Sequence, residues 1–235
     1  MSRLSLTFLL VGCASQSPPQ TESAPCLVDL SHAYDENTVY WPTSPSQFVK
    51  STISEGHTSA GYYYSAYVVS TPEHGGTHLD APVHFNEQGA TADEVPLTRL
   101  IGAGVVIDMT EEAAADPDAL FTVAHIERFE SKHGSIPPGS IVLVRTGWSD
   151  FWPDAKRYLG DDQEGDASNL HFPGISEAAA RALVARSVAA VGIDTASLDH
   201  GLHLVEDLLA PPGHGHVEGV VAMGPRRLVV PHLQR

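Results

Sequence analysis

Apolar residues along this chain fall in short runs separated by turn-forming residues, and the runs follow two periods. At 62–70 the stretch YYYSAYVVS carries an aromatic alternation and reads as a short strand. The runs GVVIDM at 104–109, SIVLVRTG at 140–147 and VAAVGIDT at 188–195 are rich in Val and Ile, the pattern of buried strands. CLVDLS at 26–31 and an apolar run at 227–231 complete the predicted strands. A helical period appears in TVAHIERFE at 122–130, where Val123, Ile126 and Phe129 share a face. A second helix is predicted after Ser176, which is placed to cap it, with Glu177 in its first turn, Leu183 and Val184 facing a core and Arg186 near its end. It leads straight into the strand at 188–195, an αβ unit. Strands outnumber helices, so the expected fold is mixed α/β or α+β, a single domain with a central sheet. The segment 151–174 shows no period and reads as a long loop, either mobile or functional.

Composition narrows the partners. The chain has 235 residues, enough for one well-buried core, and is 42% hydrophobic. Its 13 Lys and Arg against 29 Asp and Glu give a net charge of -16, which repels phosphate backbones and argues against nucleic acid or an anionic membrane surface as partner. The first residues carry Arg3, an apolar run from Leu4 to Val11 and then Gly12-Cys13, too short to span a bilayer but suited to a secretory leader. The ending LVGC resembles a bacterial lipobox. That resemblance implies a signal peptide over 1–12, a lipid on Cys13, and an envelope lipoprotein facing the periplasm, with Ala14 favouring the outer membrane. Residues 13–25 are polar and proline-rich, as a flexible stalk should be, and the folded domain is expected over 26–235. With Cys13 lipidated, Cys26 stands alone, so no intrachain disulfide is expected.

The candidate chemistry lies in EHGGTHLDAPVHF, residues 73–85, which gathers His74, His78, Asp80 and His84 around Gly75, Gly76 and Pro82. Two glycines and a proline disfavour a helix. If 78–84 is extended, His78, Asp80, Pro82 and His84 fall on one side, and Leu79, Ala81, Val83 and Phe85 on the apolar other side facing a core. The glycines allow the chain to bend so that His74 joins the polar side. Imidazoles with one carboxylate are a donor set that suits Zn²⁺ or Mn²⁺ with a position open to water.

HGGTHLDAPVHF matches the HxGTHxDxPxH signature of the cyclase family of metal-dependent hydrolases, and the flanking blocks VYWPTSPSQF, VLVRTGW, FPGISEAAARALV and AVGIDTASLDHG are similar to that family too. The resemblance implies a swivelling β/β/α fold and a homodimer or higher homo-oligomer. It implies that His74, His78 and Asp80 are metal ligands, with Asp80 and Glu218 bridging where two ions bind, that His84 shuttles protons, and that Trp41 lines the substrate pocket. One position departs from the pattern. Twelve residues before Glu218, where the family places a histidine ligand, stands Glu206. Either Glu206 serves as an oxygen ligand, or His203, His214 or His216 replaces it, and one or two ions per subunit remain open.

Neither a GxSxG elbow nor an HExxH pair is present. Asp194 and Asp199 are acid/base candidates, with a structural role expected for Asp194, and Arg145 is either an anion clamp or a paired charge. The expected function is hydrolysis of an amide or lactam C–N bond in a small, aromatic substrate by metal-activated water, with His84 as proton shuttle. The alternative is a periplasmic metal-binding lipoprotein without catalysis.

Overall fold

The computed structural model describes residues 29–201 and 218–221. In chain order the strands are β1 (Val49–His57), β2 (Tyr63–Ser70), β3 (His78–Asp80), β4 (Gly104–Asp108), β5 (Leu120–Phe121), β6 (Ile141–Arg145), β7 (Gly174–Ile175), β8 (Ala190–Ile193) and β9 (Glu218–Val221). The helices are α1 (Thr110–Ala115), α2 (Val123–His133), α3 (Ala155–Leu159) and α4 (Glu177–Ala185). The main sheet runs in the order β3-β9-β8-β6-β4, parallel from β9 to β4, with β3 antiparallel to β9 at the end. This is the expected mixed α/β domain with a central sheet.

Its core follows from the Val and Ile runs. In β4 the inward residues are Val105 and Ile107, in β6 Val142 and Val144, and all four residues of β8 are buried. Ile126 of α2 with Ala179 and Leu183 of α4 join the same cluster, so both helices lay their apolar stripes on the sheet. Ser176 caps α4 as expected, its hydroxyl accepting the Ala179 N–H at 3.3 Å. A half-buried ion pair ties the two helices: Glu130 of α2 grips Arg186 at the end of α4 through two hydrogen bonds of 2.7 and 2.8 Å. Those bonds, despite the opposing effect of burial, hold the Glu130 carboxyl at about 2.

Two expectations about the chain path are corrected. Residues 29–31 of the predicted first strand are not extended into any sheet; the rest of that stretch, like the run at 227–231, lies outside the described residues. The segment 151–174 is no bare loop, since it carries α3 and β7. Asp154 caps α3 by accepting the Arg157 N–H, and Tyr158 and Leu159 at its end are buried. The β1-β2 pair forms a separate two-stranded ribbon whose side chains are mostly exposed.

A second buried cluster lies beside the first. Val39, Trp148, Tyr158, Leu159, Leu170 and Phe172 form it, with Trp41 and Trp152 packed against its edge. Asp194, at the end of β8, braces this region: it accepts the Thr146 and Gly147 N–H groups and the Thr146 hydroxyl at 2.7–2.8 Å. Burial nevertheless pushes its carboxyl above the ordinary range. The expected structural role for Asp194 holds. Arg145 is a paired charge, 2.7 Å from Asp108.

Candidate metal centre

The ledge that carries the histidines begins where the chain crosses under Tyr40. Gly75 forms an isolated bridge with Tyr40, and a Cβ at this position would overlap the tyrosine ring. Gly76 adopts a positive φ of 61°, so the chain can turn sharply into β3. The turn brings His74 back over the strand, as anticipated. His74 Nδ1 lies 2.7 Å from Asp80 Oδ1, and His78 Nε2 lies 3.1 Å from the same oxygen.

The second nitrogen of His78 explains the orientation. His78 Nδ1 lies 3.0 Å from the Gly76 carbonyl, which can only accept, so Nδ1 carries the proton and Nε2 is free to bind. An Nε2 lone pair and a carboxylate oxygen at contact need a positive charge between them, either a proton or a cation. Without a cation, the ring supplies it: burial disfavours charge on His78, but hydrogen bonds to Asp80 and Gly76 outweigh burial and raise its pKa. For Asp80 burial works upward, while His78 and the neighbouring imidazoles lower the net value. The donor atoms of His74, His78 and Asp80 all lie within 4.8 Å of one another, and all three residues are half-buried. Two nitrogens and a carboxylate oxygen converging this closely fit a divalent ion of the zinc or manganese type.

His84 arrives by a different path from the one expected. The extended backbone stops at Ala81, and Pro82–His84 form a 3-10 turn with proline at its start. The His84 N–H bonds the Ala81 carbonyl, and the Val83 N–H bonds the Ala90 carbonyl. The alternation predicted over 78–84 therefore fails beyond Asp80, and Val83 and Phe85 are exposed rather than in the core. The turn still delivers His84 to the site, with its ring stacked on His74 at 3.7 Å between centroids. Desolvation of the ring lowers its pKa; Asp80 opposes the shift, and the adjacent His74 adds to it. The lowered value leaves the His84 ring uncharged at neutral pH.

These residues form one wall of a cavity of about 440 Å³. Trp41 lines it, half-buried and edge-on to Phe172. Residues not singled out from the sequence complete it: Tyr40, Phe85, Trp152, Tyr158, Leu159 and Ser197. Trp152 stacks on His32 at 4.3 Å and stands perpendicular to Tyr158. The available signal was the density of large apolar residues in FWPDAKRYL, 151–159, inside a segment that otherwise reads as loop. Asp199 does not line the cavity; burial pushes its carboxyl up to about 6, with His200 opposing.

The far half of the predicted site is described only in part. Glu218 begins β9, whose next residue, Gly219, pairs with Asp80, so the backbone sets Glu218 one register step from the ligand strand. His203, Glu206, His214 and His216 lie outside the described residues, as does Cys13.

Comparison with known proteins agrees with this geometry. The model of the Cyclase family, described as "Putative cyclase", matches residues 28–200. The chain is 33% identical over 168 residues to an isatin hydrolase of Roseibium aggregatum, covering 67% of this chain and 62% of that protein. It is 28% identical over 132 residues to a kynurenine formamidase of Salinibacter ruber, covering 55% of this chain and 57% of that protein. The chain thus spans about six-tenths of the length of these curated relatives. Among solved structures, an isatin hydrolase bound to the product analogue thioisatinate superposes with a TM-score of 0.73 at 27% identity, over 84% of this chain and 79% of that one. Isatin hydrolase A from Labrenzia aggregata, bound to benzyl benzoate, gives 0.72 at 31% identity, over 84% and 80%.

Proposed function

The chain belongs to the cyclase family, and on that premise we propose that it hydrolyses an amide or lactam C–N bond of a small aromatic substrate. The observation that carries this reading is the convergence of the His74, His78 and Asp80 donors on one point of an aromatic cavity wall. When bound there, a divalent ion supplies a Lewis acid for the scissile carbonyl and a water of lowered pKa.

The chain's own residues do the remaining work. His78 is held in one tautomer by the Gly76 carbonyl, and Asp80 is held by both imidazoles, so the ligand set is oriented before any ion arrives. His84, uncharged and stacked beside His74, takes a proton from the attacking water on a ring nitrogen and returns it to the leaving amide nitrogen. Trp41, Trp152 and Phe85 offer apolar faces to a flat ring.

The lining also bears on the substrate. No Lys or Arg lines the cavity among the described residues, and the segment 202–217 contains neither. Among the described residues an anionic substituent finds no cationic side chain, which supports an uncharged ring such as isatin over an amino-acid formamide such as N-formylkynurenine. From the leader, we further propose that lipid on Cys13 tethers the domain at the cell envelope; a Cys13→Ala chain that stayed in the membrane fraction would refute this.

The test pairs metal analysis with turnover. The purified chain should bind about one or two ions of zinc or manganese, open isatin faster than it deformylates N-formylkynurenine, and lose both activities on chelation. Undiminished turnover by metal-free protein would overturn the hydrolase mechanism. A fully loaded protein that turns over neither substrate would favour the metal-binding lipoprotein instead.

A further inference from the structure

Two glycines join His74 to the rest of the ledge, and only one is required by its own backbone. Gly76 holds the positive φ of 61°, whereas Gly75 lies outside the left-handed region, in a conformation open to alanine. The HxGTHxDxPxH signature leaves the Gly75 position open as well. What excludes a side chain there is the Tyr40 ring, which fills the space a Cβ would take. Tyr40 is buried, its backbone is bridged to Gly75, and the Val39 carbonyl beside it accepts the Gly76 N–H at 3.2 Å. A ring and a backbone from one short segment thus close on the joint between His74 and β3.

The far end of the ring is anchored too. The Tyr40 hydroxyl lies 2.6 Å from Thr71 Oγ1, and the Tyr34 hydroxyl lies 2.8 Å from the same oxygen. Thr71 gives its single hydroxyl proton to the Pro72 carbonyl at 3.0 Å, which can only accept, so both phenols donate to Thr71. Tyr34 in turn covers Gly76, with a ring carbon 2.9 Å from where a Cβ would stand. One hydroxyl, shortly before His74 in the chain, therefore holds the two rings that press on the two glycines.

Adjacent glycines make the freest joint a chain can carry, and this one separates His74 from His78 and Asp80, which share β3. Left free, the joint would be ordered only as an ion bound, which weakens affinity; held by the rings, it is ordered when the chain folds. Taking the metal centre proposed above as given, we propose that Tyr40 and Thr71 are positioning residues: the Tyr40 ring, tied down at Thr71, sets His74 against His78 and Asp80 through the bare face of Gly75. Both act through the backbone of the ledge rather than as ligands.

The experiment measures the zinc affinity of the purified full chain by competition with a chromophoric chelator, beside the melting temperature of the metal-free protein. Gly75→Ala and Tyr40→Val should each weaken zinc binding about tenfold or more, and the double variant should be at most about threefold weaker than either single one, because the shorter side chain makes room for the new methyl group. Thr71→Val, at an exposed position, should weaken binding about fivefold, while Thr71→Ser, which keeps the hydroxyl, should match the wild type. A purely structural role would lower the melting temperature and leave the affinity of the folded protein unchanged, and that result would overturn the proposal. So would effects of Gly75→Ala and Tyr40→Val that multiply, or a Thr71→Val protein that binds like Thr71→Ser. A wild-type chain that takes up no zinc would instead remove the metal centre itself, and the positioning role with it.

Discussion

β8 and β3 lie two places apart in one sheet, separated only by β9, and they are built for opposite tasks. β8 reads AVGI, is paired on both sides by parallel neighbours, and has no exposed residue. β3 reads HLD, pairs antiparallel with β9 at the sheet's end, and keeps all three residues half-buried. Paired strands on both sides and apolar cover leave β8 no room for a polar side chain without an unsatisfied group. Half-burial at β3 does the reverse. It desolvates His78 and Asp80 enough to strengthen their interaction, while leaving their donor atoms open to the cavity. Stability and chemistry are thus divided across the width of one strand.

The sharpest way to break that division is to remove the carboxylate that His74 and His78 share. Asp80→Ala should abolish metal binding and lower turnover at least about a thousandfold, while costing only about 1 kcal/mol of apo-protein stability; metal content by elemental analysis and a urea melt read the two effects separately. If the apo-protein unfolds as well, β3 is structural and the contrast with β8 fails. His84→Gln sharpens it within the site. Metal content should stay at the wild-type level while kcat falls about a hundredfold to ten-thousandfold, and metal lost together with activity would make His84 a ligand. In β8 the expectation inverts: Ile193→Ala should cost about 2–5 kcal/mol with kcat per folded molecule unchanged, measured by denaturant titration beside activity.

The smallest effect lies outside both strands. Glu130→Gln should cost about 1 kcal/mol at neutral pH, because its pair with Arg186 is partly exposed. The folded-state value of about 2 lies below the ordinary 4.5, so the pair's contribution is complete above 4.5 and lost as pH falls towards 2. The difference between variant and wild type in urea melts should therefore shrink from pH 7 to pH 3.

Much of this was legible from the chain alone, and the failures have a common cause. The Val and Ile runs located β4, β6 and β8, Ser176 marked the start of α4, and the spacing around Asp80 located the ligand cluster. Each of these signals acts over a few residues. The alternation argument failed at Pro82, whose fixed φ starts a 3-10 turn and re-aims His84. It was silent on the ribbon, because alternation locates a strand without saying whether anything covers it. It also missed Trp152 and Tyr158, which reach the cavity from a segment some seventy residues beyond the ledge.

The sequence by itself determined the donor types, the glycines that let His74 fold back, and the acidic character of the chain, because composition and backbone restriction are local properties. Only the tertiary structure decided that His84 stacks on His74, that Trp41 and Trp152 line one cavity, and that Asp80 pairs beside Glu218 through β9. Those relations join residues from ten to over a hundred positions apart. They exist only once the sheet has closed, since packing brings such residues together and no local period encodes it.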